Sequence, residues 1–404
     1  MSILQRPAFL LLEAAVRLEL KHPPASAGGI WERGVRVSSL WVAAMQKFHN
    51  SINGREGDVK SGHTLHRTFH RAVRSVMQTL YFVAAMHLVL SAALGQVASS
   101  KSAIAYYNRG NESYRIHDYD KAIADYSAAI TFDPAFAWAY NNRGNARLEK
   151  RDVEGAIEDF ARALELDPHF AAAYVNRARA RDSKGDRAGA LEDYNRAALL
   201  DPHAPIVFFN RANLWKASNN LVAALADYDA AIALDNKFAQ SYVNRGNTRL
   251  ALGEFDRAIA DYNRALKIDS RQPDPYNDRG VAEMAKRDLD AALSDFDAAI
   301  KLKPAYSLAY YNRACLLALK REGVAAIKDL NISIDLDPSF ARAYLNRGLL
   351  HLCAQRREHA SNDFETALKL APALRGFLEE RKAEVERRES CDFEDMPAGE
   401  LPNP

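Results

Sequence analysis

With 404 residues, 48% of them hydrophobic and 26% charged, the chain has enough apolar content for folded structure over most of its length. Its net charge of +2 hides an asymmetry: residues 1–101 carry 12 Lys/Arg and 5 Asp/Glu (+7), which leaves 42 and 47 (−5) for the remainder. An acidic body offers no basic face for neutralising phosphates, so nucleic acid is not an expected partner. The three cysteines, Cys315, Cys353 and Cys391, are too few for a disulfide framework.

Residues 1–66 show no sustained period. A short apolar run at 8–12 gives way to Pro23-Pro24, Gly28-Gly29 and scattered charge, and a disordered leader is expected. Glu13 and Glu19 argue against a mitochondrial transit peptide. His63, His66 and His70 fall near one helical face, but with no carboxylate or cysteine beside them they are assigned no metal. From residue 67 the character changes. Arg67, Arg71 and Arg74 precede a stretch without charged residues, 75–100, that ends in small residues at Ala93-Leu94-Gly95. That order resembles a secretory signal, and the length also lets one helix cross a bilayer with the arginines on the cytoplasmic side. Segment 67–100 is therefore read as signal-like or as a membrane anchor, in an exported (periplasmic or secreted) or membrane-anchored protein. Its distance from residue 1 suits an internal start such as Met45. It also leaves an alternative, an apolar helix that caps the first repeat of a cytoplasmic protein.

Residues 103–374 are built on a strict period. Arginines stand at 109, 143, 177, 211, 245, 279, 313 and 347, each 34 residues from the last, with Asn (once Asp278) before and Gly or Ala after. Eight equal units in register predict a stacked repeat array. In the second unit one helix is expected over 137–149 and another over 153–166, closed by Asp167-Pro168, since proline disfavours helix in the residue before it. Asp118, Asp152, Asp186 and Asp288 stand where an acidic side chain can cap the second helix. An aromatic recurs three residues before each arginine (Tyr106 to Tyr344). Alanine recurs at 122, 156, 190, 224, 258, 292, 326 and 360, and Ala or Ser seven residues further on. Small residues on facing stripes let two helices approach closely.

This pattern resembles the tetratricopeptide repeat family, in eight tandem units. The resemblance implies an all-α fold: a right-handed α-solenoid superhelix of antiparallel helix pairs. One amphipathic helix over 375–390 would cover the last unit, as terminal caps of solenoids must, and residues 391–404 would form a disordered tail. One departure stands out: the family usually has Leu before the small residue of the first helix, whereas every unit here has Arg. Each unit also carries an Asp in its second helix, Asp125 to Asp363. Each arginine is expected to lie along the helix interface and to pair with an Asp of its own or the preceding unit.

In this family the first helices line a concave groove that receives peptides. The resemblance places Asn108, Asn142, Asn176, Asn210, Asn244, Asp278, Asn312 and Asn346 in that groove. A carboxamide has a donor and an acceptor and can satisfy one peptide unit whatever the side chain. The row is similar to the asparagine ladder in the tetratricopeptide part of O-linked N-acetylglucosamine transferase. A second row, Asn111, Asn145, Asn213 and Asn247, lies one turn on, and Tyr107, Phe209 and Tyr311 add apolar groove positions. The lysines with which chaperone-tail receptors of the family hold a terminal carboxylate are missing. Asp274, Asp278 and Glu283 form a local acidic spot that favours a basic group on the partner.

No G-x-x-x-x-G-K-[ST], H-E-x-x-H or G-x-S-x-G element occurs, and no cofactor is called for. The expected function is a non-catalytic scaffold that binds an extended peptide or partner protein in the groove. The alternative is a recruiting or regulatory subunit of an enzyme or envelope assembly complex carried on another chain. Partner identity and oligomeric state are not written in the sequence.

Overall fold

A computed structural model describes residues 59–387, and among them every regular element is a helix. Of the leader expected over 1–66, residues 59–66 are helical, while 1–58 and the tail 391–404 lie outside the described residues. The chain divides into two units between Val97 and Ala98. Helix α1 (Val59–Arg115) begins in the first and supplies the first helix of repeat 1 in the second. Its Met77–Leu94 stretch has a mean hydropathy of 1.5 and none of it is buried. Tyr81, Phe82, Val83, Met86, Leu88, Val89 and Leu90 are all exposed over more than half of the helix circumference, and His87 and Ser91 share the remaining side.

The second unit is an α-solenoid of helical hairpins. Repeat 1 is completed by α2 (Tyr119–Phe132). Repeats 2 to 4 are α3 (Ala137–Glu149) with α4 (Val153–Leu166), α5 (Ala171–Ser183) with α6 (Arg187–Leu200), and α7 (Pro205–Ala217) with α8 (Leu221–Leu234). Repeats 5 to 8 are α9 (Ala239–Ala251) with α10 (Phe255–Ile268), α11 (Pro273–Ala285) with α12 (Leu289–Leu302), α13 (Ser307–Leu319) with α14 (Gly323–Leu336), and α15 (Ala341–Cys353) with α16 (Arg357–Leu370). From α2 to α16 each helix packs on its neighbours in the chain. A 3-10 turn, Pro372–Leu374, leads into α17 (Arg375–Arg387), whose Leu378 is buried against Leu345, Leu349 and Phe364 of repeat 8.

Local chemistry sets the helix ends. Asp118, Asp152, Asp186 and Asp288 each accept a backbone N–H three residues on, at 3.0–3.2 Å, and Asn220 does the same in repeat 4. At the other end, Asp133, Asp167, Asp201, Asp235, Asp269 and Asp337 accept the N–H two residues on, at 2.9–3.2 Å. Asp235 and Asp269 make this turn with Asn236 and Ser270 in place of proline, so the carboxylate alone is enough to shape it.

Inside a repeat the two helices touch where the small residue meets a ring. A Cβ placed on Gly246 would stand 2.7 Å from the Tyr262 ring, and on Gly144 the same distance from Phe160. Alanines such as Ala122, Ala129, Ala163 and Ala258 are fully covered. The repeated arginine closes the hairpin. In repeats 2 to 8 its Nε donates to one oxygen of the repeat's own Asp at 2.7–3.0 Å, and its Nη2 to the other at 2.6–2.8 Å. Arg109 and Asp125 form the same fork in repeat 1. Such bidentate pairs are the strong form of ionic hydrogen bond. The recurrent aromatic lies beneath each guanidinium, 4.7–5.5 Å from its centroid.

The third nitrogen, Nη1, reaches back to the preceding repeat. It meets Ser127, Asn195, Asp229, Asn263, Asp297 or Asn331. Arg177 lacks this bond because the position holds Ala161. Arg147, Arg181 and Arg249 add a second guanidinium to Asp159, Asp193 and Asp261 at 2.8–3.0 Å.

Removing one partner of a buried pair strands the other. Asp261→Ala leaves Arg245, 14% exposed, and Arg249 without their carboxylate. It is expected to cost about 3–5 kcal/mol, read as a lowered urea midpoint of the helical circular dichroism. Asp125→Ala faces Arg109, 57% exposed, and is expected to cost distinctly less. Equal losses would show that burial does not set the strength of the pair.

Candidate functional site

The amides expected in the groove are brought together along successive first helices, and most of them hold the repeats to one another. Asn142 donates to the Tyr107 hydroxyl at 3.0 Å and to Asn111 Oδ1 at 2.9 Å. Asn176 donates to Asn141 at 2.9 Å, Asn244 to Asn213 at 2.8 Å and Asn312 to Asn277 at 2.9 Å. Asn346 reaches the Tyr311 hydroxyl at 3.1 Å and Cys315 Sγ at 3.3 Å. In each case the donor belongs to one repeat and the acceptor to the repeat before it. Asn108, in the first repeat, is exposed, and Asn210 is half-buried without a hydrogen bond among the described residues.

The second row works from within. Asn111, Asn213 and Asn247 accept from the hydroxyls of Tyr126, Tyr228 and Tyr262, in the second helix of the same repeat, at 2.6–2.8 Å. Asn145 faces Phe160, which has no hydroxyl, and makes no such bond. Tyr107, Phe209 and Tyr311 also pack at repeat junctions. Their rings lie 4.7–4.9 Å from Phe136, Phe238 and Phe340, each of which stands just before the next repeat's first helix. The sequence held a signal for this use of the rows, the pairing of Asn with a Tyr 15 residues later in repeats 1, 4 and 5.

Side chains one turn before the row are available to a ligand. Trp138 is 53% exposed, and Ile104 and Ile206 nearly as much. Each lies four residues before a row amide and so on the same helical face. Cys315 is a free, buried thiol and is not bridged to Cys353. Burial pushes it up to about 11, so it is a poor nucleophile. Among the described residues no group of His, Cys, Asp and Glu is arranged to hold a metal ion.

Tandem hairpins stacked through small residues and closed by capped turns define an α-solenoid, a class that presents side-chain rows to protein partners. The sequence matches the tetratricopeptide repeat family (also described as the TPR repeat) over residues 110–150, 137–170, 171–203, 246–286, 277–341 and 341–374. The chain belongs to that family. Its fold is similar to a chain of the APC/C hetero-tetramer Cut9-Hcn1, at 16% identity and a TM-score of 0.52, over 69% of this chain and 54% of that one. It is also similar to a tetratricopeptide repeat protein from Parabacteroides merdae, at 20% identity and a TM-score of 0.51, over 62% and 98%. A third solved structure, MamA, aligns at 23% identity with a TM-score of 0.39 over 42% and 92%. No curated protein matches the chain.

Asp278 is the one row member that can only accept. The direction of bonding reverses around it: Asn277 donates to it at 3.2 Å, and Asn247 of the preceding repeat donates as well. Burial pushes its carboxyl up to about 6. The two amides and Lys216 pull it down, and Asp274 adds to the rise. The same carboxyl titrates near 3.8 when unfolded, so the folded state holds the proton more tightly. Stability from this group is fullest at low pH, falls as pH rises from about 3.8 to about 6, and is level above. Asp278→Asn restores the amide and is expected to raise stability at pH 7.5 by at most roughly 3 kcal/mol, at 1.36 kcal/mol per pKa unit. The gain should shrink toward zero near pH 4, and urea titrations at the two pH values check it.

Proposed function

We propose that this chain is a non-catalytic scaffold that holds an extended segment of a partner protein along the first-helix face of its repeats. The observation that carries the reading is the exposed apolar stripe of Ile104, Trp138 and Ile206 beside the amide row, on rigid helices whose own polar groups are largely satisfied. Apolar side chains held on such a frame bind without an ordering cost of their own. Asn108 and Asn210, uncommitted within the stack, supply main-chain hydrogen bonds to the ligand. Recruitment of a catalytic subunit on another chain would use the same face.

The Met77–Leu94 stretch gives the scaffold a location. Its exposed apolar surface covers most of the helix and leaves only the side of His87 and Ser91, which suits a lipid surround better than a one-sided protein groove. We read it as a bilayer anchor or export signal, with Arg67, Arg71 and Arg74 on the cytoplasmic side.

Two measurements test these readings. On an array of random peptides, Trp138→Glu with Ile206→Glu is expected to cut retention at least about tenfold (~1.4 kcal/mol). Val222→Glu, at an exposed apolar residue of a second helix, should leave it unchanged; equal effects would move the binding face. The full chain expressed in cells is expected either to resist alkaline extraction from membranes or to yield a mature N-terminus beyond residue 90. A freely soluble, uncleaved chain would remove the anchor.

A further inference from the structure

Repeats 1 and 4 share a small device. In repeat 1 a single oxygen, Asn111 Oδ1, accepts from the Tyr126 hydroxyl at 2.8 Å and from the Asn142 amide of the next repeat at 2.9 Å. In repeat 4 Asn213 Oδ1 does the same for Tyr228 at 2.6 Å and Asn244 at 2.8 Å. Repeat 3 keeps both donors, Tyr194 and Asn210, but where the accepting oxygen should be it has Arg179. Arginine has no acceptor at all.

The consequence is a junction in which Tyr194 and Asn210 lack the asparagine oxygen that serves their counterparts in repeats 1 and 4, with a guanidinium in its place. Among the described residues, the Tyr194 hydroxyl, the Asn210 amide and the Arg179 guanidinium make no hydrogen bond or ion pair. Tyr194 is only 3% exposed, and its hydroxyl, unpaired among the described residues, is the part of it that still reaches solvent. The hydroxyls of Tyr126, Tyr228 and Tyr262 all aim at the side chain 15 residues earlier, and that residue here is Arg179. Burial raises the Tyr194 phenol, and Arg179 is near enough to pull it back down. The guanidinium itself is exposed and free to turn toward a ligand.

We propose that the junction of repeats 3 and 4 is a carboxylate-binding notch, in which an oxygen from the partner segment takes the place of the missing amide oxygen. Tyr194 and Asn210 donate to it, and Arg179 supplies the opposing charge. Charge-assisted hydrogen bonds of this kind are about twice as strong as neutral ones. A monoanion fits better than a phosphate dianion. Glu149 lies with Arg179 near Tyr114, and Asp182 lies with it near Tyr194, so the local positive charge is small. The carboxylate comes from an Asp or Glu side chain or from a chain terminus. The inference rests on the scaffold reading and narrows its partner to one with an acid at a fixed place.

Arg179→Asn is the discriminating variant because it returns the oxygen to the chain and closes the notch from within. The wild-type protein and this variant are passed over two random dodecapeptide arrays, one C-terminally amidated and containing Asp and Glu, the other free of acidic side chains but with a free C-terminus. The wild type is expected to retain peptides that share an acid on one of the two arrays, which identifies its source. Arg179→Asn is expected to retain that set at least about tenfold less, with a urea midpoint no lower than wild type. Tyr194→Phe, which removes only the hydroxyl, should weaken the same set. Retention without any acid in common, or Arg179→Asn binding as well as wild type, would overturn the notch and leave the groove reading standing. No retained peptide on either array would overturn both.

Discussion

The fork between arginine and aspartate is the contact on which the array depends. A guanidinium has five donors in a fixed plane, and this protein uses that plane in three directions. Two donors grip the carboxylate of the repeat's own second helix, a third reaches the repeat before, and the flat face rests on a ring three residues earlier. Leucine at the same position could fill space but could not join three partners. The buried aspartate needs the fork equally, since an unpaired carboxylate there would be strongly destabilising. In repeats 2, 3 and 5 it is met by two arginines rather than one.

Most of the fold was legible in the sequence because its causes are local or repeat exactly once per unit. The helix boundaries followed from Asp caps and Asp-Pro stops, and the ion pairs from eight arginines and eight aspartates kept in register. The recurrence of the aromatic was legible, but not that it lies under its own repeat's guanidinium. A period says that two residues are equivalent in every unit, but not which of their neighbours they touch. The amide rows show this limit most clearly. Their position on the first helices could be read from spacing, whereas the bonds from Asn142 to Asn111 or Asn312 to Asn277 span 31 and 35 residues and depend on how one hairpin lies against the next.

The rows also show how one lateral bond can be made from different residues. The acceptor for a row amide is an asparagine one turn along (Asn111, Asn213), an asparagine beside it (Asn141, Asn277), or a tyrosine hydroxyl (Tyr311). When the row itself changes from Asn to Asp278, Asn247 of the preceding repeat donates to it instead of accepting. The need to satisfy a half-buried polar group is constant, and the residue that meets it varies. This explains why the second row fades after repeat 5 while the stacking does not.

A satisfied junction has nothing left with which to bind. In a repeat array, ligand chemistry must therefore arise where the internal pairing fails, and the failures can be located by comparing each repeat with its siblings. Two departures stand out along the amide rows. At Asp278 the carboxyl keeps its partners but holds a proton too tightly, a cost borne inside the stack. At Arg179 the asparagine oxygen is missing, and the Tyr194 hydroxyl and Asn210 amide, whose counterparts use it in repeats 1 and 4, make no hydrogen bond among the described residues. The first departure is absorbed by its neighbours. The second is not: Tyr194, Asn210 and Arg179 make no hydrogen bond among the described residues, so their donors are left to solvent or to a ligand.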